Sequence, residues 1–142
     1  MGDLSGKVAL VTGSGRGLGQ SCANILGSRG ASVVIADIDT ATGEAAAAAI
    51  RANGGQASFV RADVSSEAEV AAMVAHAVET YGGLDIAINN AVRDYGRRAP
   101  LADIELADWE RLMAVNFTGV FLCMKHEIRA MQTRGGGAVV NI

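Results

Sequence analysis

The chain has 142 residues, a net charge of −3, half of its residues hydrophobic and only 4% aromatic. That is one domain's worth of chain, without a basic stripe for nucleic acid or an apolar run near the ~20 residues of a membrane helix. No basic segment followed by an apolar one opens the chain, so no signal peptide is expected. Cys22 and Cys123 have no metal-type spacing and read as free thiols in a reducing, cytoplasmic compartment. Nothing in the sequence suggests a metal site, and His76 and His126 read as surface or packing histidines.

Short apolar runs alternate with longer amphipathic ones. Residues 7–11 read as the first strand and 32–36 as the second. Residues 57–61, 84–89 and 138–142 read as the third to fifth. Their near-continuous apolar character suits strands covered on both faces. Between them, residues 17–29 form a first helix and 40–53 a second, stopped by Gly54-Gly55. A third starts at Ser66, with Glu69 three residues on in capping-box spacing, and stops at Gly82-Gly83. A fourth, continuous helix spans about 108–134, with Trp109, Leu112, Phe117, Phe121 and Ile128 in a stripe that is core or subunit interface. Residues 92–106 are the one long irregular stretch, a mobile loop beside the site. Its Arg93, Arg97 and Arg98 read as solvated. The alternation predicts a parallel α/β sheet with the strand C-terminal ends on one edge, where ligands bind.

The run Val11-Thr12-Gly13-Ser14-Gly15-Arg16-Gly17-Leu18-Gly19-Gln20 joins the first strand to the first helix. A glycine-rich turn there lets a diphosphate approach bare backbone, and the helix N-terminus offers unpaired N–H groups and partial positive charge. The strict six-residue dinucleotide spacing is not met, because Leu18 stands where its last glycine would fall. Two carboxylates add weight. Asp37 closes the second strand roughly 20 residues past the turn, where it can accept both hydroxyls of a ribose. Asp63 closes the third, beside Val64, where it can receive a purine amino group. Each is also a plausible turn or capping aspartate; together on one edge they favour one shared ligand.

With Thr12-Gly13-x-x-x-Gly17-x-Gly19, Asp37, Asp63-Val64, Leu84-Asp85-x-x-x-Asn89-Asn90-Ala91, Asn116 and Val140-Asn141-Ile142, the chain resembles the N-terminal part of a short-chain dehydrogenase/reductase. The resemblance implies a Rossmann-like, doubly wound parallel sheet of which five strands are present, making 1–142 an incomplete NAD-binding domain. It implies that Gly13, Ser14, Arg16, Gly17, Leu18 and Gly19 form the phosphate-side turn. Asp37 would hold the adenosine ribose with Ile38 beside it, and Asp63 and Val64 would border the adenine. Asn90 and Ala91 would line the cofactor, with Val115 near the nicotinamide. Asn116 matches the family's catalytic asparagine, which helps hold a water in a proton relay. Asp85 and Asn89 look structural. Val92 stands where the family has glycine, which bears on the backbone near the nicotinamide ribose.

The carboxylate at Asp37 favours NAD over NADP, whose extra phosphate would meet a like charge; Arg16 pulls the other way. The family's chemistry also uses a serine and a Tyr-x-x-x-Lys pair. Neither Tyr81 nor Tyr95 has lysine four residues on, and the lysines are Lys7 and Lys125. The expectation is therefore a truncated record of an NAD-dependent oxidoreductase, the chain alone being inactive. The complete protein would interconvert a secondary alcohol and a ketone by hydride transfer, as a homodimer or homotetramer. A non-catalytic dinucleotide-binding or interaction module is the alternative, and a methyltransferase a more distant one.

Overall fold

The computed structural model describes residues 2–94 and 99–142. Tyr95, Arg97 and Arg98, and with them part of the expected loop, lie outside the described residues. The strands are β1 (Val8–Thr12), β2 (Ser32–Asp37), β3 (Gln56–Arg61), β4 (Ile86–Asn89) and β5 (Ala138–Asn141). All pair in parallel, in the order β3-β2-β1-β4-β5. The helices are α1 (Gly17–Ser28), α2 (Thr40–Ala52), α3 (Glu67–Tyr81), α4 (Leu106–Met113) and α5 (Val120–Gln132). This is the doubly wound, Rossmann-like α/β architecture, with the strand order reversing between β1 and β4.

Strand alternation sends successive side chains to opposite layers. Ala9, Val11, Val33 and Ile35 pack with Ala23 of α1 and Ala46, Ala47 and Ile50 of α2. Leu10, Val34 and Ala87 pack with Val70, Met73, Val74 and Ala77 of α3 and with Leu122 and Cys123 of α5. The α1–α2 layer is thin because its residues are small. A Cβ added at Gly43 would stand 2.1 Å from the Phe59 ring, so α2 rests directly on β3.

Helix ends follow local chemistry. Asp39 caps α2 by accepting from the Thr42 amide at 3.1 Å, and Ser66 caps α3 by accepting from the Glu69 amide at 3.4 Å. The reciprocal half of the expected capping box is absent. Glu69 instead accepts from the Asp63 amide at 2.9 Å and from Arg61 at 2.7 Å, spending its carboxylate on the end of β3. Asp85 ties the opposite edge of the sheet, accepting from the Val8 amide at 2.8 Å and Arg134 Nε at 3.1 Å. Burial raises the Asp85 carboxyl, but the Val8 amide, Arg134 and Lys7 outweigh it and leave it below the ordinary carboxylate range.

The expected fourth helix runs unbroken through residues 106–132 but is not α-helical throughout. A π-helical segment, Ala114–Gly119, separates α4 from α5. The widened turn lies against Val64, and a Cβ on Gly119 would come within 2.9 Å of that side chain. Of the expected stripe, Trp109, Phe117, Phe121 and Ile128 are exposed, Phe117 and Phe121 to 70% and 62%, and the side of α5 that packs on the sheet carries Leu122 and Cys123.

Glu127 of α5 is fully buried and accepts from Asn89 Nδ2 at 3.1 Å. Burial pushes its carboxyl from 4.5 up to about 7, against the Asn89 hydrogen bond, which lowers it. The folded state therefore holds a proton that the unfolded chain has released across that window. The stability tied to this proton is fully present below pH 4.5, falls as pH rises through the window and is flat above about 7. The gap corresponds to roughly 3 kcal/mol. Denaturation of the parent and Glu127→Gln as a function of pH should show the parent losing that amount relative to the variant; parallel curves would contradict it.

Candidate active site

The site is built where β1 and β4 part. Thr12, ending β1, accepts through Oγ1 from the amides of Asn90 and Ala91 at 3.0 and 3.1 Å. The Asn90 side chain returns Nδ2 to the carbonyls of Thr12 and Gly13 at 3.1 and 3.0 Å. The glycine turn and the end of β4 are thus one hydrogen-bonded unit. Gly13 has φ +63°, and a Cβ there would meet Ala91 Cα at 2.8 Å. One on Gly19 would meet the Gly13 oxygen at 2.4 Å. Both positions need glycine, one for conformation and one for close approach. The N-cap of α1 is Arg16; no side chain caps the helix and its first turn carries no acid, leaving its end electropositive.

A cleft of about 600 Å³ opens over this unit. Of the residues singled out from sequence, Gly13, Arg16, Leu18, Asp37, Ile38, Asp63, Val64, Asn90, Ala91 and Val115 line it. Ser14 does not. It is fully buried, its hydroxyl donating to the Val11 carbonyl at 2.6 Å and accepting from the Ala36 amide at 3.1 Å. Its position stitches β1 to β2. Gly17 and Gly19 shape the turn without lining the cleft. Arg93 does line it, so the reading of this arginine as merely solvated is incomplete. Val92 adopts no positive φ and is 77% exposed on the rim.

The two carboxylates serve turns and face the cleft at once. Asp37 accepts from the Gly15 amide at 2.8 Å and from the Asp39 amide at 3.0 Å. Asp63 accepts from the Ser65 hydroxyl at 2.6 Å and the Ser65 amide at 2.9 Å. The Ser65 hydroxyl holds the Asp63 carboxyl below its ordinary value, against burial, helped by the Ser65 amide, Arg61 and Arg93. Asn116, in the π segment, pairs with the Arg93 backbone in both directions at 2.8 Å. Its amide therefore anchors the chain leaving β4. Two residues of the glycine-rich run were given no role from sequence. Thr12 could have been found as a hydroxyl residue at a strand end before a glycine turn. At Gly15 a Cβ would meet Thr42 Oγ1 at 2.5 Å, Asp37 Oδ2 at 3.0 Å and the Gly43 amide at 3.1 Å, neighbours that lie far along the chain.

An open parallel sheet with its cleft at the topological switch point defines a ligand-binding α/β domain of the dinucleotide type. The chain belongs to the short chain dehydrogenase family, whose sequence profile matches residues 7–142. It is 44% identical over 142 residues to 2,5-dichloro-2,5-cyclohexadiene-1,4-diol dehydrogenase of Sphingobium indicum, covering 99% of this chain and 55% of that protein. It is 40% identical over 137 residues to cis-4-hydroxycyclohexanecarboxylate dehydrogenase of Sinomonas cyclohexanicum, covering 96% of this chain and 54% of the relative. A short-chain type dehydrogenase/reductase from Mycobacterium marinum superposes with a TM-score of 0.93 at 34% identity, over 98% of this chain and 56% of its own. The chain spans about half the length of the curated relatives it matches. Among the described residues, no helix is long and apolar enough to cross a membrane.

This family typically binds a nicotinamide dinucleotide, and the residues present fit one. Bare glycine backbone and an uncapped helix end suit a diphosphate, and carboxylates at the end of β2 and two residues past β3 line the cleft. Gly19→Ala should cost about 1–3 kcal/mol, since the added carbon overlaps a carbonyl oxygen and Asn90 Nδ2. Ser21→Ala, on the exposed side of α1, should stay within about 0.5 kcal/mol. Denaturant titration of the two variants checks the contrast.

Proposed function

We propose that residues 1–142 form the dinucleotide-binding domain of an NAD-dependent oxidoreductase that interconverts a secondary alcohol and a ketone. The observation that carries this reading is Asp37 at the end of β2, lining the same cleft as the glycine turn. When bound, the nicotinamide supplies the hydride acceptor or donor. The turn from Gly13 to Gly19 and the N-terminus of α1 would hold the diphosphate. Asp37 would accept from the ribose hydroxyls, with Ile38 beside it. Asp63 and Val64 would border the adenine, and Asn90, Ala91 and Val115 the nicotinamide side. Asn116 would help hold a water in a proton relay.

The relatives' names support the alcohol class, since both describe hydroxylated six-membered rings. Exposed Phe117, Phe121 and Ile128 on one helical stripe support a homodimer or homotetramer, and the free thiols of Cys22 and Cys123 a cytoplasmic location.

NAD is preferred over NADP in this reading because the Asp37 charge opposes a 2′-phosphate, an effect weighed above the attraction of Arg16. Asp37→Asn removes the charge and keeps an acceptor for the Gly15 amide. Titration of both cofactors should show the ratio of NADP to NAD affinity rising roughly tenfold or more. Comparable affinities in the parent, or an unchanged ratio in the variant, would sink the assignment.

A further inference from the structure

We infer that Glu127 is a positioning residue for the cofactor edge: buried behind the sheet, it sets the ends of β4 and β5 through Asn89. Asn89 and Asn90 are consecutive, so their side chains leave β4 on opposite faces. Asn90 holds the glycine turn. Asn89 turns the other way and divides Nδ2 between Glu127 Oε2 at 3.1 Å and Asn141 Oδ1 at 3.0 Å. Its carbonyl also accepts from the Ile142 amide at 3.0 Å, and Ile142 lines the cleft. One carboxyl on α5 thus governs an asparagine that braces β5 beside the cleft wall.

Donor counting assigns the protonation state that does this. Both Nδ2 hydrogens of Asn89 are spent, while Asn89 Oδ1 and Glu127 Oε1 are buried without a partner. An ionised Glu127 would hold a buried charge on one donor, Asn89 Nδ2, while the Asn141 amide nitrogen is turned to Met124 Sδ at 3.4 Å; the neutral acid removes the charge and adds a donor. The raised carboxyl described above agrees with this. The titratable neighbour on its own helix is Cys123, whose thiol is pushed up to about 12 by burial and then by Glu127. On the elements alongside, Glu67 of α3 is engaged with Lys125 and His126, and Asp85 at the far end of β4 with Arg134 and Lys7. Asn141 on β5 does not titrate.

The binding arm of the test rests on the dinucleotide reading above; the exchange arm does not. Glu127→Gln keeps a neutral acceptor for Asn89, and Glu127→Leu removes it. Without ligand, Glu127→Leu should lower the protection of the Ile142 amide roughly tenfold while Leu10 and Val34 keep theirs, and Glu127→Gln should restore it. NAD affinity should weaken severalfold in Glu127→Leu. In the parent it should also weaken from about pH 6 to about pH 8.5, as the acid ionises, and in Glu127→Gln it should not. Equal loosening of all strands, no rescue by glutamine, or parent and Glu127→Gln pH profiles that coincide would overturn the inference. The parent and Glu127→Gln series decides it even where Glu127→Leu does not fold. Failure of the parent to bind NAD would overturn the dinucleotide reading alone, with Ile142 exchange still judging Glu127.

Discussion

The reciprocal bonding between Thr12 and Asn90 is the constraint on which the rest of the site depends. A parallel sheet whose strand order reverses has a gap above the reversal, because the loops on either side leave in opposite directions. Left alone, those loops would be the least ordered parts of the sheet edge. Here a hydroxyl and an amide close the base of the gap with four hydrogen bonds. The glycine turn is thereby fixed against β4, and the cleft acquires a rigid floor. Asn116 extends the same order outward through its paired bonds to the Arg93 backbone.

The two layers around the sheet solve different problems. On the α1–α2 side, alanine and glycine let helix backbones approach the strands, which brings the N-terminus of α1 close over the turn. On the α3–α5 side, larger side chains such as Met73 and Leu122 fill a deeper space, and that layer also houses Glu127. Polar chemistry inside it is concentrated at the strand ends. Asp85 clasps one edge of the sheet and Asn89 the other, so the apolar middle of each strand is bracketed by directional bonds that define register.

The strands and first three helices were legible because each is a local pattern: an apolar run, a capping residue, a glycine stop. Asp37 and Asp63 were legible because position at a strand end determines what a carboxylate can face. Their second occupation was not, since whether Asp37 meets the Gly15 amide depends on how β2 sits beside β1. Ser14 shows the same limit. Its place in the turn is evident from sequence, but the inward direction of its hydroxyl follows from the neighbouring Ala36 amide, far along the chain. The widened turn inside the fourth helix was invisible for a related reason. The stripe through Trp109, Phe117 and Ile128 continues across it, and the widened turn sits where Gly119 lies against Val64, distant in sequence.

That widened turn also imposes a phase relation on the chain. A residue advances an α-helix by about 100°, and a π-type turn accommodates one more residue than an α-turn. The direction in which α5 presents its side chains is therefore offset from the direction set by α4. The offset determines that Glu127 looks inward at β4 while Phe121 looks out. A one-residue deletion within 114–119 would remove the extra residue and return the segment to a regular α-helical ladder. The same deletion inside regular α5, ahead of Glu127, would instead turn every later side chain by about 100° and carry Glu127 off Asn89.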